Sequence, residues 1–397
     1  MKVKKPYVLI GLLFIAFAPV IPGGEALSSQ GSIRSWLEFM LILMAFLLSL
    51  FWVKKSYLKI IFSDTYIIPI ILFCFWSIST VIWSAFRILS LAKSIELFMV
   101  FFVTLVIVQD LFLNRANTSK VLFKFLILYL AFLFLFNVLA FGTPFNFVQS
   151  GAYGSVPRIR FTLGFAHPLE TADLLALCAI TGISASRSLK NILVLIFLFF
   201  CIYLADARAS QLFVLFSVLV ILYFKIEKKA YKLLIVCSGF LIVLLSVAYI
   251  FLSFDVQKLL YSNIAGVDTL GGRVVLWYTA MEAFTANSFI TIFGVGYYSS
   301  RVLLLDIAHY GGHAHNAYID LMLTTGLVGV FILFFVLVRT VKMIKHDMLI
   351  KYGFFSGILI YTLLISIFDP QLLRPNPVMV VLFISFIEIR SLKVGKE

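Results

Sequence analysis

The chain has 397 residues, 62% hydrophobic and 13% charged, with a mean hydropathy of +1.09. Soluble domains carry nearer a quarter charged residues, so a water-facing globule is excluded and lipid must be the main solvent. The formal net charge of +14 is spread in short basic clusters between apolar runs, which argues against a nucleic-acid-binding face.

A helix needs roughly 20 apolar residues to cross a bilayer. The apolar runs predict spans at 7–22, 36–53, 66–86, 95–113, 121–141, 168–186, 191–206, 209–224, 232–252, 317–338, 352–368 and 378–390. The first follows Lys2, Lys4 and Lys5, but Pro19 to Gly24 offers no small-residue cleavage site, so it reads as a retained helix. The seventh and eighth are short and could form a broken pair around Asp206 and Arg208. Cys74, Cys178, Cys201 and Cys237 all lie inside apolar runs and read as small core hydrophobes. The predicted fold is an all-α polytopic membrane protein of about twelve transmembrane helices. Its parts are an N-terminal set of nine helices (1–252), a large outer loop (253–316) and three C-terminal helices (317–397). Runs such as 274–286 have the apolar spacing of short amphipathic helices on a membrane surface. A second outer loop, 142–167, is rich in Gly, Pro and Arg.

Charge placement sets the orientation. With the N-terminus inside, alternating spans put 22 of the 32 Lys and Arg residues inside and 10 outside, so both termini are predicted to be cytoplasmic. The inside set is mostly Lys, whereas all but two of the outside set are Arg. Topology needs only charge, but Arg adds a planar fork of donors suited to phosphate oxygens. The outer arginines therefore read as an anion site; the other reading pairs them with Asp206, Asp268, Asp306 or Asp369, or lets them snorkel to headgroups.

Four stretches could carry chemistry. Gly311 to Asn316 holds His313 and His315, close to His309, and a histidine there could act as a base near neutral pH. Two histidines at i and i+2 could instead hold a metal, but few carboxylates and no cysteine lie nearby. Gly271-Gly272-Arg273 leads to Trp277 and could present a helix N-terminus to phosphate, or simply make a turn before an interfacial anchor. Asp206-Ala207-Arg208-Ala209-Ser210 places ionisable groups near the membrane, where they usually have a role or a partner. In 158–170, Arg158, Arg160, His167 and Glu170 flank a helix that Pro168 would start. No P-loop, dinucleotide fingerprint or zinc-protease helix occurs, so any reaction must use a donor already at the membrane.

Taken in order, GFAHPLE (164–170), DARAS (206–210), GGRVVLW (271–277), FGVGY (293–297) and HAHNAYIDLMLTTGLVG (313–329) resemble the O-antigen ligase and polymerase family. The resemblance covers roughly 160–330 and departs from the family pattern at Leu169, Asp206 and Ala209. It implies a bacterial inner-membrane glycosyltransferase with its large loop and active site periplasmic. Such an enzyme works without cofactor or metal and inverts the anomeric centre. The implied partners are an undecaprenyl-diphosphate-linked oligosaccharide, an acceptor glycan (a lipid-linked repeat unit or lipid A-core), the bilayer and a chain-length regulator. The implied catalytic base is His315, with Arg273 and Arg208 on the diphosphate. Arg158, Arg160 and Arg301 are further diphosphate candidates, and His313, Asn316, Gly272, Trp277 and Glu170 are supporting residues. The last motif leans towards polymerases of O-antigen or exopolysaccharide over ligases. A flippase for the same lipid is the reading from another class, but the basic residues sit at span ends and no internal repeat is visible.

Overall fold

The computed structural model describes residues 5–20, 33–54, 67–113, 117–150, 158–185, 189–226, 273–308, 314–343, 353–369 and 375–394. The first half consists of helices α1 (Lys5–Ala16), α2 (Ile33–Trp52), α3 (Ile68–Ser79), α4 (Arg87–Leu113) and α5 (Thr118–Phe141). Helix α5 shows how local chemistry sets the ends. The Asn117 side chain accepts from the Lys120 N–H, and Gly142 closes the helix in the left-handed region at φ 71°. After a two-stranded hairpin come α6 (Pro168–Ala185), α7 (Leu189–Leu204) and α8 (Arg208–Lys225). Three short helices, α9 (Arg273–Thr285), α10 (Ser288–Phe293) and α11 (Ser300–Ala308), are followed by α12 (Ala317–Met343), α13 (Gly353–Ile365) and α14 (Pro377–Val394).

Among the described residues, six helices are long and apolar enough to cross a membrane: α2, α4, α5, α6, α8 and α12. Helices α1, α3, α7 and α13 fall at expected spans but are shorter. Their termini explain why: α1 stops before Pro19, and α3 tightens into a 3-10 turn over Thr80–Ile82. The expected span at 232–252 lies outside the described residues. The polarity is that of a lipid-solvated protein: Trp36, Met40, Leu47 and Phe51 of α2 are exposed, whereas Ser49 of the same helix is buried. Helix α6 lies at the centre, with buried Ala172, Ala176 and Ala179 presenting small side chains to its neighbours α5, α7, α8 and α13. Close packing of this kind holds helices together where lipid cancels any hydrophobic drive.

The described parts of 142–167 are not plain loop. Strands β1 (Asn146–Ser150) and β2 (Arg158–Thr162) pair antiparallel, with Val148 opposite Arg160 and Phe147 opposite Phe161. Alternation puts Phe161 into the core against Phe134 and Phe145, leaving Arg160 on the other face. Buried Asn137 of α5 clamps the base of the hairpin. Its amide donates to the carbonyls of Pro144 and Thr162, and its oxygen accepts from the Gly164 N–H at 2.7 Å.

The short helices α9–α11 are bolted to the bundle through an interruption in α12. At Gly326 the backbone has φ 65° and ψ −174°, a region open essentially only to glycine. The break frees carbonyls that a continuous helix would use. Val295 N–H donates to Leu323 O at 2.9 Å, Gly296 N–H to Thr324 O at 3.0 Å and the Trp76 indole to Thr325 O at 2.9 Å. Residues 294–299 thus thread between α3 and α12, held further by Trp83 on Gly294 O and by Thr80 Oγ1 on Tyr297 N–H. A Cβ at Gly326 would lie 2.2 Å from Ile292 O. Gly326→Ala is therefore expected to cost on the order of 4 kcal/mol and to abolish the monodisperse size-exclusion peak of detergent-extracted protein.

Candidate functional site

The site is assembled from the tight turn between α7 and α8. Cys201 O and Tyr203 O accept from the amides of Ala205 and Asp206, and the chain reverses through Asp206 at φ 45° before α8 begins at Arg208. Asp is among the few residues that tolerate this left-handed conformation. Asp206 Oδ2 lies 3.8 Å from Arg160 Nε of the hairpin, and its Oδ1 lies 3.9 Å from Arg208 Nε.

From there the polar groups continue around one end of the bundle. Arg273, the first residue of α9, stands with its guanidinium 5.9 Å from the Phe368 ring. Burial pulls its pKa below the ordinary arginine value; Asp369 opposes this and neighbouring Arg160 adds to it. Asp369, just past α13, is also an electrostatic neighbour of buried Asp173 on α6. Asp173 accepts from Ser210 Oγ at 2.9 Å and from the Tyr361 hydroxyl at 2.5 Å. Ser210 sits two residues beyond Arg208, so the chain of neighbours returns to the α7–α8 turn. Arg160, Arg208 and Arg273 thus lie along one run of neighbours, with Asp206 between the first two, Asp369 near Arg273 and Asp173 behind them on α6.

Two struts tie the backbone on either side of His315 to the elements that flank Arg273. Trp277, one turn along α9 from Arg273, donates its indole N–H to Ala314 O at 2.7 Å. Ser366 O, two residues before Phe368, accepts from the Ala317 N–H at 2.8 Å. Between these anchors His315 takes a left-handed conformation at φ 49° and is half-buried. Asn316 then caps α12, its Oδ1 accepting from the amides of Tyr318 and Ile319 at 3.0 and 3.2 Å. Trp277→Phe keeps the ring and removes the donor. It is expected to lower activity about tenfold at unchanged expression and size-exclusion profile, because a buried carbonyl loses its partner and the His315 backbone its strut.

The other candidates are distributed differently. Glu170 lies in the first turn of α6 and accepts from the His167 N–H at 3.4 Å. Arg158 opens β2, opposite Ser150. Gly272 and His313 lie outside the described residues. Arg301 is buried, stacked 4.8 Å from the Tyr298 ring, and belongs to a second ionic group. There Lys93 is 2.7 Å from Glu96 and 3.6 Å from Glu38, and 5.5 Å from the same Tyr298 ring. Sequence reasoning missed Asp173, Tyr361 and this Lys93 group. The available signal was an ionisable residue within an apolar run, which by itself points to function or pairing.

Fold and site together define a helical integral membrane protein whose helix ends gather arginines, carboxylates and a histidine. Residues 193–334 match the family model described as O-antigen ligase. Through this segment, which runs from α7 into α12, the chain is similar to the O-antigen ligase family. No curated protein matches the chain.

Proposed function

We propose that the protein transfers a glycan from an undecaprenyl-diphosphate carrier to an acceptor sugar hydroxyl at the periplasmic face of the bacterial inner membrane, with both termini cytoplasmic. The observation that carries this reading is the grouping of Arg160, Arg208 and Arg273 around Asp206 and Asp369, with the backbone flanking His315 tied to α9 and to the end of α13. The His315 imidazole takes the proton of the acceptor hydroxyl as its oxygen attacks the anomeric carbon. The bond from that carbon to the diphosphate breaks, and its electron pair goes to the leaving diphosphate. Guanidinium groups fixed around that oxygen stabilise the charge as it grows, without reorganising at the moment of reaction. A single displacement inverts the anomeric centre, and this chemistry needs no metal when arginines carry the charge. The Asp173–Tyr361–Ser210 network fixes α6, α8 and α13 behind the arginines.

The favoured acceptor is a second lipid-linked repeat unit, so that the reaction lengthens O-antigen or exopolysaccharide. The second reading, transfer to lipid A-core, is favoured by the description of the matched family as O-antigen ligase. Purified protein in nanodiscs, given undecaprenyl-diphosphate repeat units and a chelator, is expected to yield a ladder of longer lipid-linked glycans. Product formed only after adding lipid A-core would establish the ligase. No transfer to either acceptor would overturn the proposal.

A further inference from the structure

Asp206 is the odd member of the site. A carboxylate between the arginines of an anion site competes with the anion for them. The geometry points to Asp206 as a built-in counter-anion that occupies the arginine pair in the empty enzyme, yields to the donor's diphosphate, and returns to expel the diphosphate product. The inference rests on the reading of Arg160 and Arg208 as diphosphate ligands and adds a release function to that site.

Three observations support it. First, the carboxylate is placed to touch both arginines but to grip neither. Its ion-pair distances to them are 3.8 Å at Arg160 Nε and 3.9 Å at Arg208 Nε, at the far edge of ion pairing. A diphosphate offers several oxygens to the same guanidinium forks and can make the short bidentate contacts that Asp206 does not. Second, the group has room to leave. Its side chain is 33% exposed and that of Arg208 is 54% exposed, on a reversal where Asp206 itself holds a positive φ. Third, α8 starts immediately beyond it with Ala207 as its N-cap, and Ala207 supplies no side-chain acceptor. The amino end of an 18-residue helix thus adds its own preference for an anion at this place.

The consequence is kinetic. Without a resident carboxylate, three guanidiniums and a helix end would hold the spent diphosphate carrier as firmly as the donor, and turnover would wait on release. With it, product and carboxylate compete for the same arginines, and the repulsion between them favours departure. Asp206 is thus a positioning and release residue, with no contact to the reacting carbon required.

The test uses full-length protein in nanodiscs with geranylgeranyl diphosphate, geranylgeranyl monophosphate and geranylgeraniol as probes. Asp206→Asn has the same shape and tolerates the left-handed backbone equally well. It is expected to bind the diphosphate about tenfold tighter than wild type, since one partly solvated like charge is removed. Affinity for the alcohol stays the same. In turnover with lipid-linked glycan, KM for the donor and kcat fall together, and inhibition by undecaprenyl diphosphate strengthens. Asp206→Glu restores the charge and is expected to return these values towards wild type. Weaker diphosphate binding by Asp206→Asn would show the carboxylate to be a structural clamp for the arginines and would overturn the inference. Unchanged binding would do the same while leaving the diphosphate site standing. Equal binding of diphosphate and alcohol by the wild type would overturn the diphosphate site itself, and the role of Asp206 with it.

Discussion

Arg273→Lys is expected to lower glycan transfer by about 10²–10³-fold while the protein remains folded and inserted. A lysine keeps the positive charge, so a purely electrostatic role would survive the change. What it loses is the planar fork. Arg273 reaches the site from the first turn of α9, with its guanidinium against the Phe368 ring and Asp369 as its charged neighbour. That setting fixes the plane of the group before any donor arrives, and a flexible ammonium has no plane to fix. Burial also favours Arg over Lys, because the guanidinium gives up hydration more readily and remains protonated. The measurement is single-turnover transfer from a lipid-linked donor at saturating acceptor. Wild-type rates in Arg273→Lys would reduce the residue to a charge-pairing partner of Asp369.

The second large effect is expected at His315. His315→Ala should remove transfer by about 10³-fold or more while leaving the donor bound, because general base catalysis and the positioning of the attacking oxygen disappear together. Folding should survive. The backbone struts at Ala314 and Ala317 do not use the imidazole, and the α12 cap is made by Asn316. The left-handed φ at His315 makes the replacement with Ala mildly strained, so His315→Asn is the better-tolerated companion. Both variants should retain geranylgeranyl diphosphate binding, which separates loss of the base from loss of the site. Near-normal polysaccharide length in either variant would remove the base assignment.

Much of this architecture could be read from the chain, for identifiable reasons. Lipid imposes apolar runs of known length, so helices appear where hydropathy placed them. The helix α9 followed from spacing in 274–286. The β-hairpin did not follow. Its strands are short, and its alternation (Arg158, Ile159, Arg160, Phe161) sat inside a stretch whose Gly and Pro content suggested loop. The break at Gly326 was equally hidden, because Thr-Thr-Gly-Leu within an apolar run reads as continuous helix until a second segment supplies donors for its carbonyls. At the candidate site, residue type and motif had singled out the arginines that the fold groups around Asp206 and Asp369. The closing of the circle by Asp173, Tyr361 and Asp369 depends on contacts across 188 positions of sequence, beyond the reach of any local pattern.

The passage of 294–299 between α3 and the break in α12 bears on how this protein could be recombined. Recognition there combines peptide N–H and C=O groups, the indoles of Trp76 and Trp83, and the buried Ser299, whose hydroxyl is hydrogen-bonded to those of Ser84 and Ser90. A graft of helices α9–α11 from a relative would therefore seat only if it came with the partner stretches near 76–90 and 323–326. The unit that can be exchanged is three separated pieces of chain, and cutting at the ends of the loop would divide it.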